Sequence, residues 1–281
     1  MRNDARYEND VTPSRMVVER YRSKVHDDEG DASLALVHYR GGREEFELGI
    51  ECLSSSDPLD RVTGADILAQ LGWADRSFLD ESVTALVRLL EDENEEVVAA
   101  AAVALGHRGQ PNVIPSLLRF ADHLSAVIRL GVVHGLTGHS HPDAIRAMIR
   151  LSSDINHDVR NWATFGLGSQ IKDDTPEIRE AFRANFGDPD HEILGEAIVG
   201  LAEWKDPEVA DILIREWESS ETVSLLSIDA AGIAADARLI EHLERFRADL
   251  SLEEDASFKS ALDDAIRACR GKAEQAGGHV R

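Results

Sequence analysis

A small–leucine–small motif recurs along the chain and constrains its fold more than any other feature. The central residues of its six copies are Leu71, Leu105, Leu136, Leu167, Leu201 and Ile233. Their successive spacings are 34, 31, 31, 34 and 32 residues. A steady period in the range of about 20 to 50 residues is typical of proteins in which similar units stack on their neighbours. The sequence therefore predicts a repeat array.

An amphipathic helix ends at each motif. Aliphatic residues stand eight positions before the last five central residues, at Val97, Ile128, Val159, Ile193 and Leu225. Small or aliphatic residues stand four positions before the first five, at Ile67, Ala101, Val132, Ala163 and Ala197. Residues at these steps share one face of an α-helix, so each unit buries a narrow apolar stripe.

A second apolar helix pattern precedes each of these helices, and an acidic turn separates the two. The residues 92–94 (DEN) and 154–156 (DIN) are examples of the turn. Side-chain oxygens of Asp and Asn satisfy free N–H groups at the start of the next helix. The unit is therefore predicted to be helix, turn, helix and a short connection.

The composition agrees with a helical core. Aromatic residues make up 5% of the chain, whereas the apolar residues together reach 43%. A core built from Ala, Leu, Ile and Val favours helices over a β-sandwich or a β-barrel. We therefore expect an all-α protein.

Three segments carry a resemblance to a known repeat. Residues 92–106 (DENEEVVAAAAVALG), 154–168 (DINHDVRNWATFGLG) and 188–202 (DPDHEILGEAIVGLA) resemble the HEAT repeat, and specifically the short bacterial type called phycobilisome-lyase-like. The resemblance covers about residues 44–270. It implies a right-handed α-α superhelix of about six to seven helix pairs, with the second helix of each pair on the concave surface.

The domain organisation follows from the extent of the repeats. Residues 14–270 are predicted to form a single solenoid, and residues 14–26 and 32–39 its N-terminal capping helices, because terminal units must cover an exposed apolar face. Residues 1–13 and 271–281 are predicted to be mobile tails.

The charge balance restricts the kinds of partner. The chain has 30 Lys and Arg against 53 Asp and Glu, a formal net charge of −23. Such a surface repels nucleic-acid phosphates and anionic membranes, so neither is expected as a partner. A protein or peptide with a basic segment fits the charge, and the same acidity is also explained by solubility alone.

The setting is predicted to be cytoplasmic. Cys52 and Cys269 are the only cysteines, too few for a disulfide framework. The N-terminal residues lack the apolar run of a signal peptide, and no stretch approaches the roughly 18 to 20 apolar residues of a membrane helix. We expect a soluble, intracellular protein.

The candidate binding surface is a patch on the second helices. His134, His139, Trp162 and Phe165, edged by Glu196, stand at or beside positions that the core stripe leaves unconstrained. Aromatic anchors dominate protein interfaces, so this patch is a candidate site for a partner. The alternative is that Trp162 and Phe165 fill gaps left by neighbouring glycines and belong to the core.

Five other residues are expected to have structural roles. Leu105, Leu167 and Leu201 are predicted to be fully buried between helices. Arg129 and Arg160 stand seven positions before their central leucines. In the repeat family that the chain resembles, an arginine at this place pairs with an acidic turn residue of a neighbouring unit, a bidentate contact that suits such junctions.

Catalytic and metal sites are not predicted. His134, His139, His141 and Asp143 have zinc-ligand chemistry, but their spacing matches no metal signature, and histidines near helix C-termini are explained by the helix dipole. A deoxyhypusine-hydroxylase-like site needs several His-Glu pairs, and the chain has one, at residues 191–192. No phosphate loop, GxSxG elbow or HExxH motif occurs.

The sequence therefore predicts a non-enzymatic scaffold that binds a protein or peptide on its concave face and needs no cofactor. An immunity or regulatory factor is one biological form of that role. The alternative is an accessory enzyme or a bilin-lyase-like protein that uses the same histidine, carboxylate and aromatic patch.

Overall fold

The structure, a computed structural model, describes residues 5–24, 32–72, 76–171, 173–187, 190–219, 223–249 and 256–277. Within these ranges the chain forms helices joined by turns and contains no β-strand, so the predicted all-α fold is confirmed. The chain divides into two compact units, residues 1–147 and 148–281. A single continuous solenoid over residues 14–270 stays a prediction.

The first unit begins with short N-terminal helices and continues as helix pairs. Its helices are α1 (Ala5–Glu8), α2 (Ser14–Lys24), α3 (Ser33–Arg40), α4 (Arg43–Leu53), α5 (Pro58–Ala69), α6 (Leu79–Leu89), α7 (Glu95–Arg108), α8 (Ile114–Leu118) and α9 (Ala126–Leu136). The predicted capping helices correspond to α2 and α3. The next helix, α10 (Pro142–Leu151), crosses the boundary between the units.

The second unit continues the same pattern. Its helices are α11 (His157–Phe165), α12 (Pro176–Ala184), α13 (His191–Glu203), α14 (Val209–Ser219), α15 (Leu225–Ala234), α16 (Ile240–Asp249) and α17 (Ala256–Gly277). The second helices of the pairs pack side by side: α5, α7 and α9 in the first unit, and α11, α13, α15 and α17 in the second. None of the described helices combines the length and the apolarity needed to cross a bilayer.

The turn residues cap the second helices as the sequence predicts. Asp57 Oδ1 accepts the N–H of Leu59 at 3.0 Å at the start of α5. Asn94 Oδ1 accepts the N–H of Glu96 at 3.0 Å at the start of α7. Asn156 and Asp190 cap α11 and α13 in the same way. Each of these bonds satisfies a helix N–H group that has no partner within its own helix.

Small residues allow the second helices of the first unit to touch through their backbones. A Cβ atom placed on Gly131 of α9 would lie 2.7 Å from Cα of Ala99 in α7. A Cβ on Gly106 would lie 2.8 Å from Cα of Gly135. Both distances are shorter than any allowed contact, so α7 and α9 can approach this closely only because glycine occupies these positions. This contact explains the small residues that flank the recurring leucines.

The central leucines form the core. Leu105, Leu167 and Leu201 each have 0% relative exposure, and Leu71 and Leu136 are equally buried. The aliphatic residues eight positions earlier, from Val97 to Ile193, are buried as well. The helix faces read from the sequence are therefore those that pack together in these repeats.

The last motif is an exception, and its predicted register is wrong. Ile233 is 37% exposed and Leu225 is 43% exposed, whereas Ile228 and Ala231 are completely buried. The buried face of α15 therefore has Ala231 where the sequence pattern placed Ile233, a shift of two residues along the helix. The following residue, Ala235, has a left-handed backbone conformation and ends the helix, so Ile233 lies in its outward-facing last turn.

Both chain ends differ from the predicted boundaries. Residues 1–4 and 278–281 lie outside the described residues, but the ring of Tyr7 packs 5.4 Å from that of Tyr39, and Arg40 donates to the carbonyl of Asp10 at 2.9 Å. The predicted N-terminal tail is therefore attached in part to α3. At the other end α17 continues past Gly271 to Gly277, because the Lys, Ala, Glu and Gln residues that follow Gly271 favour helix.

Candidate functional site

A groove crosses the second helices of the first unit. It has a volume of about 610 Å³ and is lined by residues of α5, α7 and α9 and of the turns before them. Its floor consists of small and aliphatic residues, Leu59, Val62, Ala99, Ala100, Val103, Val127, Leu130 and Gly131. Most of these side chains are half-buried, and Val127 is exposed. The floor is therefore an apolar surface that reaches solvent.

The polar residues that line this groove are two carboxylates, one amide and one imidazole. Asp57, Asn94, Glu96 and His134 stand around the apolar floor. One carboxylate oxygen of Asp57 caps α5, while the other accepts from Arg22 of α2. Glu96 is exposed to solvent. Glu96 therefore presents an exposed carboxylate beside an apolar strip.

His134 is the predicted site residue that the structure places in this groove. Burial, and after it the proximity of His107, lowers the pKa of His134 below its ordinary value of 6.5. The imidazole is therefore neutral at pH 7 and has one hydrogen-bond donor and one acceptor.

His139 does not line the groove. Its side chain is buried after the end of α9, and burial, followed by the proximity of His141, lowers its pKa. His141 Nδ1 accepts the backbone N–H of Asp143 at 3.2 Å and lies 3.9 Å from its carboxylate. His134, His139, His141 and Asp143 were the candidate zinc ligands. Among the described residues, they do not form a group whose ligand atoms converge.

Trp162, Phe165 and Glu196 lie in the second unit. The rings of Trp162 and Phe165 meet edge to face, with their centroids 5.6 Å apart at 84°. Trp162 keeps 44% of its surface exposed, whereas Phe165 and Glu196 are half-buried. Burial, and then the neighbouring Glu192, raises the pKa of Glu196 above its ordinary value of 4.5. The alternative that Trp162 is a core residue does not fit its exposure.

The two predicted structural arginines hold the turns that precede their own helices. Arg129 Nη1 donates to the carbonyls of His123 at 2.7 Å and Leu124 at 3.0 Å. Arg160 Nη1 donates to the carbonyls of Asp154 at 2.9 Å and Ile155 at 3.2 Å. In both cases the guanidinium satisfies backbone oxygens that a tight turn leaves without a helical partner.

Arg61 is an equivalent residue that sequence reasoning missed. It donates to the carbonyl of Ser55, again six residues earlier, at 3.1 Å. It also binds both carboxylate oxygens of Asp92 in the next repeat, at 2.7 and 2.8 Å. Counting back from Leu71 placed Arg61 out of register, because the first repeat has three extra residues between its turn and its leucine. Counting forward from the turn would have found it.

A cluster of titratable side chains in the second unit was also not predicted from the sequence. His157 Nε2 lies 2.7 Å from Asp190 Oδ2, and its Nδ1 lies 2.9 Å from Asp158 Oδ1. One ligand atom from each of His157, Asp190 and Glu192 lies within 4.8 Å of the other two. The residues stand at the starts of α11 and α13, and residues 157–158 (HD) and 191–192 (HE) were the available sequence signal.

The repeated helix pairs correspond to a known class. Residues 47–136 match the family described as HEAT repeats, and the helix pairs of this part are of that type. The chain is similar to YibA of Escherichia coli K12, with 28% identity over 244 residues that cover 84% of this chain and 85% of YibA. The same figures hold for YibA of Escherichia coli O157:H7.

One of two similar solved structures supports this fold. The X-ray structure of Escherichia coli YibA aligns with a TM-score of 0.62 and 25% identity, over 92% of this chain and 98% of that one. Human deoxyhypusine hydroxylase in complex with glycerol aligns over 92% of this chain and 97% of that one, with a TM-score of 0.36 and 15% identity. A TM-score this low gives no information about the activity of this chain.

Proposed function

We propose that the protein is a non-enzymatic scaffold that binds a segment of a partner protein in the groove across α5, α7 and α9. The observation that carries the proposal is a groove of about 610 Å³ inside one compact unit, whose floor is apolar and reaches solvent. Repeat proteins present broad continuous surfaces of this kind, and clefts of a few hundred Å³ accommodate several side chains of a ligand.

The proposed partner segment carries aliphatic residues flanked by Lys or Arg. The aliphatic residues match the floor around Ala100, Val103 and Leu130, where contact removes apolar surface from water. The basic residues match the exposed Glu96 on the rim and the net charge of −23. Complementary charge raises the rate of association and suppresses acidic competitors.

The pair formed by the exposed Trp162 and the half-buried Phe165 is proposed as a separate contact surface in the second unit. An exposed tryptophan supported by a second ring is a rigid apolar anchor that loses little conformational entropy on binding. Glu196, on the neighbouring second helix, supplies a carboxylate for a basic group.

Selection from a random peptide library on the immobilised protein tests the groove. We expect the enriched peptides to combine aliphatic residues with Lys or Arg, and to bind more weakly as the salt concentration rises. Ala100→Trp should abolish their binding because the indole fills the groove. The matched control, Trp162→Ala in the other unit, should leave it unchanged. Peptides without basic enrichment, or peptides that bind Ala100→Trp normally, would contradict the proposal.

The alternative function, an accessory enzyme or a bilin-lyase-like protein, predicts a different result. Such a protein binds a small chromophore or substrate, whose absorbance or fluorescence changes on titration. A saturable bilin-induced change that Trp162→Ala removes, together with no peptide enrichment, would favour this alternative.

A further inference from the structure

Three side chains at the starts of α11 and α13 form a cluster with the chemistry of metal ligands. His157 is the first residue of α11, and its Nε2 faces Asp190 Oδ2 at 2.7 Å. Glu192, in the first turn of α13, brings its carboxylate to within 4.8 Å of both atoms. Imidazole and carboxylate groups are the usual ligands of divalent transition metals in proteins.

The imidazole of His157 is oriented for this role by a further carboxylate. Asp158 Oδ1 lies 2.9 Å from Nδ1, the ring nitrogen on the far side from Asp190. A carboxylate that accepts the proton of one ring nitrogen fixes the tautomer in which the other nitrogen can coordinate a metal. Nε2 is therefore the nitrogen directed at Asp190 and Glu192, and the proton that lies between Nε2 and Asp190 Oδ2 at 2.7 Å is released when a metal ion binds.

The helix N-termini do not compete for the atoms of this cluster. Asp190 uses Oδ1 to accept the N–H of Glu192 at 2.8 Å, and its other oxygen, Oδ2, faces His157. The start of α11 is capped by Asn156, whose Oδ1 accepts the N–H of Val159 at 3.1 Å. The positive ends of both helices are thus satisfied by atoms outside the proposed ligand set.

The distances within the cluster are close to those of a metal site. Three carboxylates, from Asp158, Asp190 and Glu192, lie beside one imidazole. The ligand atoms of a tetrahedral zinc site stand about 3.3 Å apart, because each lies about 2.0 Å from the metal. His157 Nε2 and Asp190 Oδ2 need to separate only slightly from 2.7 Å, and the exposed Glu192 can move towards them.

We propose that His157 Nε2 and one carboxylate oxygen each from Asp190 and Glu192 bind a divalent transition-metal ion of the Zn²⁺ type. Water completes the coordination. The ion joins the starts of α11 and α13 and so links two successive repeats of the second unit. This site does not depend on the groove or on its partner.

Titration calorimetry of the tag-free full-length protein with Zn²⁺ tests the site. We expect saturable binding of one ion, weakened at least ~10-fold by His157→Ala and by Glu192→Gln. His141→Ala is the matched control, because His141 also lies beside a carboxylate, that of Asp143, but belongs to no group of three converging ligands among the described residues. The control should bind Zn²⁺ like the wild type.

Co²⁺ gives a second readout that reports coordination directly. Its visible absorption should appear on binding to the wild type and to His141→Ala, and should be lost in His157→Ala. Glu192→Gln keeps the size of an exposed side chain, so circular dichroism should show it folded even where His157→Ala unfolds. No saturable binding of Zn²⁺, or binding that neither ligand variant weakens, overturns the proposal, and so does equal weakening by the control.

Discussion

Arg61 binds Asp92 through two parallel hydrogen bonds, of 2.7 and 2.8 Å, across the junction between successive repeats. The two side chains each retain 11% of their exposure. Arg61 also holds the carbonyl of Ser55 in its own turn, and Asp92 Oδ1 accepts the N–H of Asn94 in the next. This one pair therefore fixes two turns to each other.

We expect Arg61→Ala to lower the free energy of unfolding by about 2 to 4 kcal/mol, because it leaves a poorly solvated carboxylate and an unpaired carbonyl. A double-mutant cycle with Asp92→Asn, followed by urea denaturation, measures the coupling. The control is the exposed pair of Arg15 and Glu51, with side-chain exposures of 59% and 61%, where solvent screening should make the coupling much weaker. Equal coupling in the two pairs would contradict the structural role of Arg61.

The buried face of α15 gives a prediction that separates the structural register from the sequence register. Leu201→Ala should cost about 2 to 5 kcal/mol, because the side chain is fully buried and its loss leaves a cavity. Ile233→Ala should cost much less, because Ile233 is 37% exposed. Thermal and urea unfolding of the two variants measure the difference. A cost for Ile233→Ala as large as that for Leu201→Ala would show that Ile233 belongs to the core, as the sequence pattern predicted.

Trp162 and Trp217 should respond differently to truncation. Trp217 is 4% exposed and donates its Nε1–H to Ser227 Oγ at 3.0 Å, so Trp217→Ala should cost about 3 to 5 kcal/mol. Trp162→Ala should cost less than about 1.5 kcal/mol, since 44% of the side chain is already in water. The measurement is chemical denaturation followed by far-ultraviolet circular dichroism. A large loss for Trp162→Ala would assign that residue to the core rather than to a contact surface.

Asp66 should make the stability of the first unit depend on pH. Burial raises the pKa of Asp66 from 3.8 to about 6, although Tyr21 donates a hydrogen bond to its carboxylate at 2.7 Å and opposes that rise. The folded state therefore holds the Asp66 proton more tightly than the unfolded state does. The contribution of Asp66 to stability is full below about pH 4 and is lost as the pH rises through about 6.

Asp66→Asn removes this dependence. We expect the variant to gain about 2 to 3 kcal/mol over the wild type between about pH 4 and pH 7, measured by urea unfolding at a series of pH values. Asp60→Asn is a control of opposite sign, because hydrogen bonds from Ser55 and then Arg22 lower the pKa of Asp60. A difference between Asp66→Asn and wild type that does not change with pH would show that the carboxyl group is not perturbed.

Most of the fold could be predicted from the repeat period. The aliphatic positions from Val97 to Ile193 and the leucines at 105, 167 and 201 are buried as predicted, since helical spacing directly determines which side chains share a face. The period failed at α15, where the buried positions belong to Ala231 and Ile228 and the apparent motif lies in the last turn. An isolated Gly-Ile-Ala triplet does not reveal where a helix will end.

The candidate sites were less accessible to sequence reasoning. His134 was found because its distance from Leu136 defines its helix face. The cluster around His157 was missed because its ligands come from the starts of two helices, 33 residues apart between His157 and Asp190. The packing of α11 on α13 brings these residues together. A local sequence pattern does not show which helices pack against each other. Arg61 was missed because the three extra residues of its repeat lie between the turn and the leucine.

The contact between Gly131 and Ala99 makes the spacing of α7 and α9 independent of the side chains that would touch a ligand in the groove. The distance between α7 and α9 is set by the backbone contact at Gly131 and Ala99, so exchanges at other positions of the floor leave the gap between these helices unchanged. Ala100, Val103 and Leu130 can therefore change to suit a different ligand while the framework stays constant. A redesign for a new peptide should keep the glycines and vary only those floor positions, whereas a larger residue at 131 would force the two repeats apart.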